Sequence, residues 1–281
     1  MTKTGPQKYP GASLTYWYGS KYPGDSMESN VVVWHTTEGR SLPSYDGGSQ
    51  APNFTAVPDF GARRLRWYQH FDFDTSSRAL VNKSGGVETN TLNAVQVEIV
   101  GTCDPATHKA WENQGYEHLY TPNLPTWVAD QLGDFARWAR DNHGVPLASG
   151  LTFRPYPSSY GNSPVRMSGA KWESFKGHCG HQHVPENDHG DPGAFPVAAV
   201  LLAAGGSPTD SGDDDMDPFD VWNYKGVDEN SDAYAYLRNT KAKLDVVEDE
   251  VALLKNLVLQ QGTQLVALTN LVKVVSAKLD A

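Results

Sequence analysis

Cysteine is scarce: Cys103 and Cys179 are the only two in a chain of 281 residues. Two thiols cannot build the disulfide framework that holds small secreted domains together, so a buried core has to do it. With 39% hydrophobic residues, the chain is long enough and apolar enough to bury one. Long apolar runs are missing too. The longest, Val197 to Ala204, falls far short of the roughly 18 residues a membrane-spanning helix needs, so membrane insertion is not expected. Residues 1–6 (MTKTGP) lead into no apolar h-region, and the expectation is synthesis and retention in a cytoplasm, where cysteines stay reduced. Basic stripes are absent as well. The formal charge is −10, and no stretch concentrates Lys and Arg in the way a nucleic-acid partner requires, so DNA and RNA are set aside.

The acidity is uneven. Residues 206–281 carry 14 Asp and Glu against 7 Lys and Arg, which leaves the first part nearly neutral. Residues 205–218 (GGSPTDSGDDDMDP) have no apolar periodicity and read as a solvated acidic linker. Their aspartates lack the glycine and terminal glutamate spacing of a calcium loop. The linker divides a domain at 1–204, with its core at about 25–204, from an aromatic-rich segment at 219–236 and a heptad segment at 237–281. In that last segment Leu237, Leu244, Val251, Val258, Leu265, Val272 and Leu279 share one heptad position. Val247, Leu254, Leu268 and Val275 share the other, with Gln261 as a polar interruption and Thr240 as a weak first member. The pattern predicts a coiled coil that joins copies of the chain into a parallel homo-oligomer, because a lone helix would leave that seam in water.

Before the linker, β-rich runs at Asn30–Trp34 and Val95–Val100 alternate with a helical pattern over Trp127–His143. In that pattern Val128, Leu132, Phe135 and Ala139 share a face, Thr126 is placed as N-cap and Gly144 as the residue just past the end. A short helix at Val197–Ala203 closes the domain. The class is α/β: a mixed β-sheet flanked by helices, followed by linker and coil.

The chemistry concentrates in residues 177–193 (GHCGHQHVPENDHGDPG), which hold His178, His181, His183 and His189, four of the nine histidines. Histidine and carboxylate are both zinc ligands, and the Pro and Gly content suits a loop that folds back to present several side chains to one point. A catalytic zinc takes three protein ligands and leaves a fourth position for water, so the loop needs a partner from elsewhere. His35 supplies it. It ends the strand Val31–Trp34 and opens the polar segment Thr36-Thr37-Glu38-Gly39.

A strand ending His35-Thr36-Thr37-Glu38-Gly39, a second ending Val97-Glu98-Ile99-Val100-Gly101, and a late Gly180-His181-x9-Asp191-Pro192-Gly193 together resemble the zinc N-acetylmuramoyl-L-alanine amidases related to peptidoglycan-recognition proteins. With residues 77–82 (SRALVN), 85–90 (GGVETN) and 101–104 (GTCD) added, the match is similar to the endolysins of phages that infect actinobacteria. It covers roughly residues 25–204, and its strength lies in the combination. The resemblance implies a zinc ion held by His35, His181 and Asp191, and Glu98 as the acid/base residue. It also implies a basic role two residues before the third ligand, where several relatives have lysine and this chain has His189. The implied reaction is hydrolysis of the amide between N-acetylmuramic acid and L-alanine in bacterial peptidoglycan. The protein would accumulate in the host cytoplasm and reach the wall through a separate pore-forming protein.

Other assignments stay open at this point. Glu38 is a reserve base, and His183 and His178 are reserve ligands. Cys103 and Cys179 are read as free, partly buried thiols. A non-catalytic peptidoglycan-binding module, a zinc peptidase or deacetylase acting on the same polymer, and a structural virion protein are the competing functions; the filled third-ligand position at Asp191 speaks against the first.

Overall fold

A computed structural model describes residues 4–90 and 93–206, and singly Lys255, Gln261, Gly262 and Lys273. The chain divides into two units, Met1–Asp214 and Asp215–Ala281, and the fold below is that of the first. The linker from residue 207 onward, the 219–236 segment and the heptads of 237–281 lie outside the described residues, apart from those four positions.

Five strands form one mixed sheet: β1 (Val31–Thr36), β2 (Phe54–Asp59), β3 (Arg64–Gln69), β4 (Ala94–Ile99) and β5 (Gly177–Gly180), in the order β3-β2-β4-β1-β5. Only the β2–β3 hairpin is antiparallel; β2, β4, β1 and β5 run parallel and end on the same side. β1 is buried along its whole length, which is why it reads as a continuous apolar run. It extends to Thr36, two residues past the expected Trp34, so His35, expected at the strand's end, stands inside the ladder, paired with Glu98. β4 spans Ala94–Ile99, one residue earlier than the sequence reading.

Alternation along the strands separates two faces. Val32 and Trp34 of β1, Val95, Val97 and Ile99 of β4 and Phe54 and Ala56 of β2 face α2 (Thr126–His143), whose Val128, Leu132 and Phe135 complete the main core. Phe135 stacks on Trp67 of β3 with ring centroids 4.8 Å apart. On the other face Val31 and Val33 pack with Leu80, Met167, Trp172, Phe175 and Val184, so His35 and Glu98 share that second face at the carboxyl ends of β1 and β4. Two further helices, α1 (Pro105–Asn113) and α3 (Gly169–Ser174), are capped by the Asp104 and Ser168 side chains, and α4 (Val197–Ala203) packs on α2.

Helix α2 begins at the residue expected to cap it, so the cap falls one residue earlier. Pro125 is its N-cap, with its carbonyl accepting from Val128 N–H at 2.9 Å, and Thr126 is already helical. Gly144 ends it as expected, left-handed at φ 70, its N–H donating to the Arg140 carbonyl. The histidine-rich segment is not all loop: Gly177–Gly180 is a strand because it finds β1 to pair with, and His181–His183 form a 3-10 turn at its end.

Each outer edge of the sheet is engaged at one point by the chain's own backbone. On β3, Ser13 N–H donates to the Trp67 carbonyl at 2.8 Å while the Ser13 carbonyl accepts from Gln69 N–H at 2.9 Å. On β5, His178 N–H donates to the Ala148 carbonyl at 2.8 Å.

Candidate metal centre

The carboxyl ends of parallel strands are where open α/β sheets place their ligands. There β1 delivers His35, the turn after β5 delivers His181, and the following loop returns Asp191. His35 Nδ1 lies 3.1 Å from His181 Nδ1 and 3.5 Å from Asp191 Oδ2, and His181 Nδ1 lies 3.2 Å from Asp191 Oδ1. All three residues are buried, and among the described residues no other set of three His, Cys, Asp or Glu side chains gathers closely enough to hold an ion.

These separations suit a metal. Ligands on bonds of about 2.0–2.1 Å around a tetrahedral ion stand about 3.3–3.4 Å apart. The partners agree with it: His181 Nε2 faces the Asn187 Oδ1 acceptor at 3.1 Å, so the neutral ring can keep its hydrogen there and offer Nδ1 to a metal. Two ring nitrogens facing each other across 3.1 Å need a cation or a proton between them. Burial, and then the neighbouring His181, push the His35 pKa down to about 4, which keeps its lone pair available. Burial works to raise the Asp191 carboxyl, but charge and hydrogen bonding from His181 and His35 outweigh it and hold the group well below the usual carboxylate range. Asp191 also accepts the Thr36 N–H at 3.1 Å, which fixes its plane.

Glu98 is one strand away from His35 in register, and Thr55 of β2 is its neighbour on the other side. Its Oε2 is buried without a hydrogen-bond partner, as is His35 Nε2. Burial, then the negative charges of Asp191 and Glu38, raise the Glu98 pKa well above that of an ordinary glutamate. A half-buried glutamate with an unused buried oxygen, paired in register with a metal-ligand histidine, is equipped to hold and deprotonate a water. His189 is different: its side chain is 68% exposed, its ring stacks on His181 with centroids 4.9 Å apart, and Nδ1 lies 3.8 Å from Asp191 Oδ1.

The reserve residues have other duties. Glu38 accepts from Thr36 Oγ1 at 2.6 Å, Thr102 Oγ1 at 2.5 Å and Cys103 N–H at 2.9 Å, so its oxygens brace the loops after β1 and β4. His183 accepts the Gly180 N–H on Nδ1 and donates from Nε2 to the Thr152 carbonyl, leaving neither nitrogen for a metal. His178 points to the α2 face, where its ring stacks on Trp34 and Nδ1 accepts the Trp34 indole N–H at 3.2 Å. Cys103 and Cys179 are free and fully buried, more so than expected, and burial raises both thiols far above their usual range. Neither belongs to the ligand set.

Asn187 was not singled out by the sequence. Its Oδ1 accepts from Val81 N–H at 2.9 Å as well as from His181, and its Nδ2 donates to the Val81 and Pro185 carbonyls, so it ties the His181 ring to a loop far away in sequence. Set against known proteins, the chain matches no family model, no curated protein and no solved structure. The residues themselves therefore carry the functional reading.

Proposed function

We propose that this chain is a phage endolysin, a zinc-dependent N-acetylmuramoyl-L-alanine amidase that hydrolyses the amide between N-acetylmuramic acid and L-alanine in bacterial peptidoglycan. The observation that carries the reading is the buried His35–His181–Asp191 group with Glu98 in register beside His35. Two imidazoles and one carboxylate are a donor set that zinc accepts with a fourth position left over. The motif resemblance at 35–39, 97–101 and 180–193 chooses the bond, which a ligand set alone does not. Bound at these residues, zinc would supply Lewis acidity toward the scissile carbonyl and acidify its water.

The chain's own residues do the rest. Glu98 orients the attacking water and takes its proton on the free Oε2. Asn187 holds the His181 ring, and the Thr36 N–H holds the Asp191 carboxylate. His189, on the open side of His181, is placed to donate a hydrogen bond to the developing oxyanion or a proton to the leaving amine.

Digestion of purified peptidoglycan tests this. New L-alanine amino termini, lost on chelation and restored by zinc, are expected. His35→Ala, His181→Ala and Asp191→Ala should each lose both metal and activity. New reducing sugars would replace the reading with a glycosidase, termini elsewhere in the stem peptide with a peptidase, and wall binding without products with a recognition module.

A further inference from the structure

We propose that Arg166 is a positioning residue of the metal centre: one guanidinium that, by their backbones, holds the segments carrying His181 and Asp191 at ligating distance from His35. Its Nε donates to the Gly161 carbonyl at 2.6 Å. One terminal nitrogen donates to the carbonyls of His181 at 3.3 Å and Val184 at 3.1 Å, and the other to the His189 carbonyl at 2.7 Å. The acceptors come from three stretches of chain: the loop before Arg166, the 3-10 turn with the second ligand, and the loop that leads to the third.

Those stretches need such a tie. His35 is fixed by a buried strand, but His181 and Asp191 sit on one short turn and the irregular segment after it. Glu186 in that segment is left-handed at φ 60, a conformation an L-residue holds only when its surroundings impose it. Non-local backbone bonds brace the segment at three points: Met167 N–H to the His183 carbonyl at 2.9 Å, Gln182 N–H to the Asp191 carbonyl at 3.0 Å and Gly161 N–H to the Asp188 carbonyl at 2.7 Å. Arg166 closes the remaining gap, bonding the carbonyl of the ligand His181 itself and that of a residue two before Asp191. A planar fork of five N–H donors can serve diverging carbonyls at once; a lysine ammonium concentrates its donors at one point and cannot reach both loops. Carbonyls that turn toward this cation also leave the imidazole and carboxylate free to face the other way, toward His35.

The proposal rests on the metal reading of His35, His181 and Asp191, and not on which bond is cut. The test is metal affinity and coordination in the full-length chain. Zinc binding would be measured by competition with a chromophoric chelator, and the visible spectrum of the cobalt-loaded protein would report ligand geometry. Arg166→Ala and Arg166→Lys should each bind zinc about ten- to a hundredfold more weakly, as loss of an outer-shell partner typically does. Their cobalt bands should weaken, while apo thermal unfolding shifts far less than the affinity does. Added guanidinium ion should restore binding to Arg166→Ala. If Arg166→Ala fails to fold, Arg166→Lys decides on the same two readouts. Affinity within twofold of the parent would overturn the proposal, as would a loss that follows apo stability and is not rescued by guanidinium. A parent that binds no metal would overturn the metal centre and this proposal together, whereas a metal-binding parent with unaffected variants overturns only the role of Arg166.

Discussion

Glu98 stands where an ionised side chain is hard to keep, on the covered face of a central strand and within the field of two other carboxylates. Removing its charge relieves that cost but also removes the proton acceptor. Glu98→Gln should therefore fold at least as well as the parent and retain stoichiometric metal, yet lose about 10²–10⁴ in kcat, the usual weight of general-base catalysis. Metal content by atomic emission beside kcat on a muramyl peptide checks this, and a variant that keeps its rate would remove Glu98 from the chemistry. At this scale the residue types marked His35 and the histidine-rich segment as ligand sources, and the family resemblance chose His181 and Asp191 from that segment, where His178 and His183 are ligand types too. Glu38 shares a short motif with His35, but its role is decided by Thr102 and Cys103, which come from another strand's end. Asn187 and Arg166 were not legible at all. Their work is done on backbone groups, Asn187 on Val81 at a separation of 106 residues, and no local pattern announces a carbonyl acceptor that distant.

Among the elements, α2 was the easiest to read and its contact with α4 the hardest. Its apolar residues recur with helical period, so its buried face follows directly. Nothing in that period says that Gly133 must be glycine. An added Cβ there would lie 2.7 Å from the Ala203 Cβ and 2.9 Å from the Ala203 carbonyl carbon and the Ala204 nitrogen. Alanine would gain about 1 kcal/mol of helix propensity. Backbone atoms cannot rotate aside, however, and overpacking costs about 1–3 kcal/mol, so Gly133→Ala should destabilise the protein on balance. A urea midpoint equal to or above that of the parent would show that α4 can shift freely. Strand β5 was missed for a related reason: residues 177–180 have loop composition, and they are extended only because β1 offers an unpaired edge. The hairpin of β2 and β3 likewise takes its place from pairing with β4.

For the molecule as a whole, acidity is the informative variable. Burial pushes His70 and His183 down to about 4 and His178 to about 3. An unfolded chain protonates each near its ordinary value of about 6.5, so between roughly pH 6.5 and 4 the unfolded state binds more protons. Stability is therefore fully present at neutral pH and is lost as pH falls through that window, by about 1.4 kcal/mol per pH unit for each such group. Asp74, held below its ordinary value when the hydrogen bonds of His143, Gln7 and Ser29 outweigh its burial, adds a loss of the same sign at lower pH. Urea unfolding at pH 7, 6 and 5 measures the slope, and a flat profile would mean that water reaches these rings in the folded state. The engaged sheet edges act at this scale too. Ser13 on β3 and Ala148 on β5 use main-chain groups that would otherwise template a strand from another molecule. With main-chain groups on each edge strand already used by the chain itself, a neighbouring copy meets an interrupted ladder on either side, so crowding these domains together should not readily start edge-to-edge polymerisation.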